Sequence, residues 1–272
     1  MKKLLVGIDL SKTGYVWLMT RAQDLAECLK AKVDLVYIAK KTTAEESAQY
    51  KTSLDELMAH IDKKSRGKTE VVEGELVKTL EQMSNDYDAM VVGPREPAGV
   101  RKWFENPIAV KVVAACGTRS PVFVPRVEQH KRAFSKILLG VDAGELTHNR
   151  IASTKQWAQA LGAKIDVVYC SQSVSKHIAQ RVAQDMPREQ LEAAKKQQQE
   201  EFEALVEKEL DATTRGKAIL YDAAPGPGMV ELSKDYDLVV VGTADIKRSS
   251  SLLGAVSSYV VRNAQCDVLT LP

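Results

Sequence analysis

Short runs of apolar, mostly β-branched residues alternate along the chain with longer stretches whose apolar residues recur every three or four positions. In the first half this pattern predicts strands near 3–9, 33–39, 69–74, 88–94 and 121–125. Between them it predicts helices near 13–31, 44–65, 75–86 and 107–117. Leu35-Val36-Tyr37-Ile38 and Met90-Val91-Val92 are almost continuously apolar, as strands covered on both faces are. Strand–helix alternation predicts a parallel sheet with right-handed crossovers. The stretch from Arg126 to Ser135 is polar and basic without an apolar period, and reads as a linker.

The pattern then repeats, residue types included. Leu4-Leu5-Val6-Gly7-Ile8-Asp9 returns as Leu138-Leu139-Gly140-Val141-Asp142, and Val33-Asp34-Leu35-Val36-Tyr37 as Ile165-Asp166-Val167-Val168-Tyr169. Tyr87-Asp88-Ala89-Met90-Val91-Val92-Gly93 returns as Tyr236-Asp237-Leu238-Val239-Val240-Val241-Gly242. The third match is displaced further than the first two, which places an insertion in the second copy around Ser171 to Arg188. From Glu189 to Leu210, Leu191, Ala194, Gln198, Phe202, Leu205 and Leu210 fall at near-helical spacing; a partner-binding helix and the solvated face of a domain helix are both open. The period, about 130 residues, is too long for a solenoid and predicts two tandem α/β domains, 1–126 and 136–272. Each is expected to be a five-stranded parallel, doubly wound sheet. The duplication is expected to set two sheets side by side; a single continuous sheet, or unlike topologies before and after position 130, would overturn that arrangement.

Composition changes this picture little. Hydrophobic residues at 44% and charged residues at 27% suit a globular chain and exclude wholesale disorder. Lys plus Arg is 38 against 36 Asp plus Glu, a net +2, which gives no reason to expect nucleic acid or an anionic membrane as partner. No apolar run approaches the ~20 residues of a spanning helix, and the first run meets Asp9 too early for a secretory signal core. Cys28, Cys116, Cys170 and Cys266 lie far apart with no CxxC pair, so a cytoplasmic protein with reduced, inert thiols is expected.

Ligands of open α/β sheets bind beyond the carboxyl ends of the strands. That directs attention to Asp9 and Asp142, to Tyr37 and Tyr169 with their followers, and to the segments after Gly93 and Gly242. GxGxxG follows the first strand in neither copy, GxxxxGK[ST] and GxSxG are absent, and His60, His130, His148 and His177 have no metal-ligand spacing. What remains runs from Val239 to Val260: a buried strand ending at Gly242, a basic serine-rich loop with Lys247 and Arg248, and Gly254 opening a helix. Glycines let backbone N–H groups approach a phosphate, and a helix N-terminus presents unpaired donors and partial positive charge. Ser257 adds a hydroxyl in the first turn. Spacing alone leaves an anion site and a plain strand–loop–helix connection both open.

These blocks resemble a known family. Ile137-Leu138-Leu139-Gly140-Val141-Asp142, Pro225-Gly226-Pro227-Gly228, Gly254-Ala255-Val256-Ser257-Ser258-Tyr259-Val260 and the closing Ala264-Gln265-Cys266-Asp267-Val268-Leu269 are similar to those of universal stress proteins. The resemblance covers both halves almost end to end. It implies a tandem universal stress protein of the adenine nucleotide alpha hydrolase-like fold, with two domains related by a pseudo-twofold axis. The last strands, 121–125 and 267–271, would pair antiparallel between the domains, and a further homodimer stays open. The resemblance also implies an ATP or AMP site, or one for another small anion, in the second copy. There Asp142 and the backbone at Cys170 would face the adenine end, and Gly254, Ala255, Val256 and Ser257 would hold phosphate. Gly140, Val241 and Gly242 complete that candidate set.

The match is imperfect. ATP-holding members resemble Gly-x2-Gly-x9-Gly-Ser/Thr; Gly242 and Gly254 fit, but Asp245 stands for the second glycine, the loop is one residue short, and Ala255 replaces the hydroxyl residue. A carboxylate beside phosphate repels it. In the first copy Gly93 opens the loop, but Trp103-Phe104-Glu105-Asn106-Pro107 stands where Gly-Ser/Thr belongs. Asn106 there is read as a helix cap, Trp103 and Phe104 as packing residues, and no triphosphate is expected. The resemblance thus implies a non-enzymatic stress-response protein with a degenerate nucleotide or small-anion site and no metal. Two other readings remain: a ligand-free interaction module, and an ATP-hydrolysing or adenylyl-transferring enzyme. The enzyme would need a motif such as Ser-Gly-Gly-x-Asp-Ser after the first strand, where this chain has Asp9-Leu10-Ser11-Lys12-Thr13-Gly14 and Asp142-Ala143-Gly144-Glu145.

Overall fold

Leu4, Val6 and Ile8 of the first strand are buried in one apolar cluster and Leu5 in another, which only a strand covered on both faces allows. The structure is a computed structural model. It describes residues 2–10, 15–93, 108–126, 134–142, 147–170, 188–243 and 254–272. The first half runs β1 (Lys2–Ile8), α1 (Val16–Leu29), β2 (Ala31–Ala39), α2 (Ala44–Met58), β3 (Arg66–Glu73), α3 (Leu76–Met83), β4 (Ala89–Val92), α4 (Ile108–Cys116) and β5 (Val122–Val124). The second runs β6 (Lys136–Val141), α5 (Thr147–Leu161), β7 (Lys164–Cys170), α6 (Arg188–Glu209), β8 (Arg215–Tyr221), α7 (Pro225–Ser233), β9 (Leu238–Gly242), α8 (Ala255–Asn263) and β10 (Asp267–Leu271). The strand and helix pattern read from the first half is present throughout. The main boundary shift is at α2, which stops at Met58 because a turn from Asp62 to Arg66 launches β3 earlier than predicted.

The spatial order is β3-β2-β1-β4-β5-β10-β9-β6-β7-β8. Within each half all neighbours are parallel, and the order of the first five strands recurs in the second five. Residues of α1, α2, α5 and α6 join the apolar cluster on one side of the sheet, and residues of α3, α4, α7 and α8 the cluster on the other. In the insertion, 171–187 lies outside the described residues, as does 127–133 of the linker. Val206 and Leu210 are buried and Phe202 packs against the core, so the latter part of α6 serves as a domain helix. Among the described residues no helix is long and apolar enough to cross a membrane.

The halves match down to single hydrogen bonds. Asp34 accepts from the Lys68 backbone N–H at 2.8 Å and from the Tyr87 hydroxyl at 3.0 Å. Asp166 accepts from the Lys217 N–H at 2.6 Å and the Tyr236 hydroxyl at 2.8 Å. Each aspartate causes the same irregularity, a register shift between the second and third strands of its half. A glycine follows in both cases, because a Cβ on Gly67 or Gly216 would run into the aspartate. Burial together with this carboxylate contact pushes the phenols of Tyr87 and Tyr236 well above their usual range. α1 ends on Lys30 at φ 53 and α5 is followed by Gly162 at φ 69, two left-handed caps at corresponding places.

The sheet is continuous through both halves, where two separate sheets were expected. The reason lies in the edges: β5 and β10 would each expose unpaired N–H and C=O groups, and pairing them removes both edges. They pair antiparallel, Val268 with Val124, Leu269 with Phe123 and Thr270 with Val122, so the anticipated contact of the last strands is what makes the sheet one. The topologies on either side of it still match, as duplication requires. α1 packs on α5 and α4 on α8 across the joint. A buried ion pair locks it: Arg21 Nε donates to Asp267 Oδ2 at 2.7 Å, and Asp267 Oδ1 accepts the Arg126 N–H at 2.6 Å. The Arg21 guanidinium stacks on Phe134, 4.0 Å from the ring centroid, and Phe134 meets Phe123 edge to face. Phe134 sits in the stretch read as a polar linker but is a core residue, and Ser135 there donates twice to Asp237.

Candidate functional site

The strand order of the second half reverses between β9 and β6, and open sheets place their clefts at such a switch point. A cleft of ≈ 370 Å³ lies there. The end of β6 supplies Gly140, Val141 and Asp142, β7 supplies Val168, Tyr169 and Cys170, and β9 supplies Val241 and Gly242. α7 adds Pro225 and Met229, and the start of α8 adds Gly254, Ala255, Val256 and Ser257. All nine residues singled out in the sequence therefore line one cavity. Asp245, Lys247 and Arg248, which bore on the phosphate end, lie outside the described residues.

Each lining residue has a physical reason for its type. Gly140 makes room for Met229, whose methyl and sulfur would stand 2.9 and 3.0 Å from a Cβ. Gly254 takes φ −59 and ψ 149, a conformation open to any residue, so glycine is not required there by backbone strain. It leaves α8 without a side-chain cap, and the first N–H groups of a helix lack intrahelical partners. Ser257 is buried and its hydroxyl donates to the Gly242 carbonyl at 2.5 Å. The serine thus ties the start of α8 to the end of β9 and presents only its lone pairs elsewhere. Thr243, next along, donates from its hydroxyl to the Gly117 carbonyl of the first half at 3.1 Å, anchoring this strand end to the joint.

Arg150 is the residue that sequence reasoning missed. It projects from α5 so that its guanidinium covers Gly242, with Cζ at 2.5 Å and Nη2 at 2.8 Å from where a Cβ would stand. Nη1 donates to Asp142 Oδ2 at 3.2 Å. A side chain on Gly242 would have to displace this guanidinium. Among the described lining residues Arg150 is the one cation and Asp142 the one anion. The arginine side chain is 13% exposed and the aspartate 63%. A lone arginine one turn into a helix carries no distinguishing pattern, and only its packing on Gly242 marks it.

The first half has a cleft at the corresponding place, ≈ 270 Å³, lined by the ends of β1 and β4, by Asp9 and Tyr15, and by residues of α3 and α4. Leu18 lies against Gly93, 3.5 Å from where a Cβ would stand, but is fully buried and does not line the cleft, unlike Arg150 beside Gly242. Trp103, Phe104 and Asn106, the residues in doubt for this copy, lie outside the described residues.

Comparison with known proteins agrees with this fold. The model of the universal stress protein family matches residues 133–272. The chain belongs to the universal stress protein family. A universal stress protein of Thermus aquaticus is 30% identical over 139 residues, a match spanning 50% of this chain and 97% of the relative. Among solved structures, a universal stress protein from Archaeoglobus fulgidus DSM 4304 aligns over 99% of this chain and 95% of its own, with TM-score 0.68 and 13% identity. A functionally unknown Pseudomonas aeruginosa PAO1 protein aligns over 99% and 92%, with TM-score 0.64 and 18% identity. At such identities the likeness is one of fold, and it extends over both halves.

The thiols of this family member are uneven in access. Burial pushes Cys170, on the cleft wall, up to about 11, and Cys116 and Cys266 up to about 12. Cys28 is only half-buried; burial and the Asp24 and Glu27 carboxylates raise its thiol too, so access is what sets it apart. Iodoacetamide at mildly alkaline pH is therefore expected to label Cys28 first in the native protein, the other three requiring denaturant. Peptide mass spectrometry after timed labelling checks this; equal rates at Cys28 and Cys266 would contradict it.

Proposed function

We propose that the chain is a tandem universal stress protein, with domains 1–126 and 136–272, acting in the cytoplasm as a non-enzymatic stress-response protein. Its second domain binds an adenine nucleotide, AMP or ATP, or another small anion in the cleft around Gly242 and Gly254. The observation that carries this reading is the convergence in one cavity of the uncapped start of α8 and the Arg150 guanidinium. Both favour negative charge. Val168, Val241 and Met229 provide an apolar wall for a base beside them. Arg150 also answers the weakness of the loop motif, because it supplies a charge that Asp245 and Ala255 do not.

A specific observation favours a ligand-free interaction module instead. Arg150 is already paired with Asp142, and the Ser257 hydroxyl is already committed to Gly242, so the cleft's polar side chains partly satisfy one another. Thermal denaturation with saturating AMP, ATP or phosphate separates the two readings. Binding at about 100 times Kd is worth about 2.7 kcal/mol and raises Tm measurably. Gly254→Trp is expected to abolish the rise and Arg150→Leu to weaken binding about tenfold, or 1.4 kcal/mol. No rise with any of the three anions would favour the module, and a rise that Gly254→Trp leaves intact would overturn the assignment of binding to this cleft.

A further inference from the structure

We infer that Tyr37 and Tyr50 form an oxidative cross-linking site, at which a one-electron oxidant joins the two rings as an intramolecular dityrosine. Tyr37 lies near the end of β2, between Ile8 of β1 and Val71 of β3, on the same side of the sheet as Val33 and Leu35. Tyr50 stands one turn before Leu54 and two before Met58, the buried residues of α2, so it shares the helix face turned to the sheet. The ring centroids are 4.6 Å apart with the planes at 56°. Aromatic rings pack at about 4.5–7 Å, so this pair is near the lower limit. The hydroxyls are neighbours as well as the rings: burial first, then the Tyr50 phenol and the Asp9 carboxylate, push the Tyr37 phenol up. Of the eight tyrosines, all among the described residues, these are the one pair in ring contact.

Each phenol gives one electron to a separate oxidant molecule and one proton to water, and becomes a neutral phenoxyl radical. The unpaired electron is shared among the oxygen and the ortho and para ring carbons. The para carbon already bears the side chain, so the radicals join through an ortho carbon of each, beside the neighbouring hydroxyls. One C–C bond forms, and each coupled carbon loses its hydrogen to solvent as the oxygen regains one and the ring its aromaticity. The chain has then lost two protons and two electrons, and two oxidant molecules are each reduced by one electron. Both rings are half-buried, so a small oxidant reaches them, and the broad χ2 torsion of tyrosine lets their edges turn into bonding distance. The second half supplies an internal control. Tyr169 repeats Tyr37, but its ring partner on α6 is Phe202, at 6.4 Å, which has no phenol to oxidise.

The probe is photogenerated tris(bipyridyl)ruthenium(III), a one-electron oxidant, applied to the dilute full chain. Monomeric protein lighter by two hydrogen atoms is expected, with the blue fluorescence of dityrosine. Trypsin cuts after Lys32, Lys40, Lys41 and Lys51, so the cross-link joins peptide 33–40 to peptide 42–51, each of which holds a single tyrosine. Tyr37→Phe and Tyr50→Phe keep the ring contact, and each is expected to leave Tm unchanged while abolishing the linked peptides. The inference is overturned if no cross-link forms, if coupling runs chiefly between chains, or if the fluorescent monomer yields other tyrosine pairs in place of this one. Survival of the linked peptides in either variant would overturn it equally.

Discussion

Arg21→Met is expected to cost about 3–5 kcal/mol of folding stability, the usual penalty for breaking a buried ion pair from one side. The Arg21 side chain is 5% exposed and that of Asp267 is fully buried, so removing the guanidinium strands a carboxylate inside the joint. Burial already pushes the Asp267 carboxyl up, against the pull of Arg21 and the Arg126 N–H; without Arg21 it rises further. A carboxyl whose folded pKa exceeds its unfolded one makes the folded state bind more protons between the two values. Stability in that window falls as pH rises. The deficit of Arg21→Met is therefore largest at neutral pH and shrinks as pH is lowered toward about 4, the unfolded aspartate value. Arg21→Met with Asp267→Asn should recover much of the loss, because asparagine still accepts from Arg126 and carries no charge. Urea denaturation across pH tests all three points; a loss under about 1 kcal/mol would show that the pair contributes no more than a surface bridge.

Gly216→Ala is expected to cost about 2–4 kcal/mol, combining overpacking with a displaced buried acceptor. The new Cβ would stand 2.7 Å from the Ile165 carbonyl oxygen and nearer still to Asp166 Oδ1, so the carboxylate must leave the Lys217 N–H and the Tyr236 hydroxyl. Gly67→Ala meets the Val33 oxygen at 2.8 Å and the Asp34 carboxylate in the same way, and a similar loss is expected. Chemical denaturation of both variants measures this. If only one is destabilised, the two networks are not equivalent in energy despite matching in geometry.

That pair of networks also shows what was legible beforehand. Val33-Asp34 and Tyr87-Asp88, with their counterparts Ile165-Asp166 and Tyr236-Asp237, stood out as repeats, and the structure joins them into one contact per half. Ser65-Arg66-Gly67-Lys68 and Thr214-Arg215-Gly216-Lys217 form a further repeated block that completes the contact and was equally open to reading. Phe134 was missed because one aromatic residue in a polar stretch has no period. Its burial depends on Arg21 and Phe123, which are distant in sequence. Arg150 was missed for the same reason, since its partners Asp142 and Gly242 sit on two different strands.

Local pattern was sufficient for whatever depends on near neighbours in the chain: which segments are strand or helix, that the unit occurs twice, and which strand ends face a cleft. Alternation and period are properties of ten or twenty consecutive residues, and burial on two faces writes them directly into residue type. Tertiary structure alone decided that the two sheets fuse, that Arg21 reaches Asp267 across 246 positions, and that the Arg150 guanidinium covers Gly242 at the second cleft. Those outcomes rest on charge and shape meeting across long loops, and no window along the chain contains both partners.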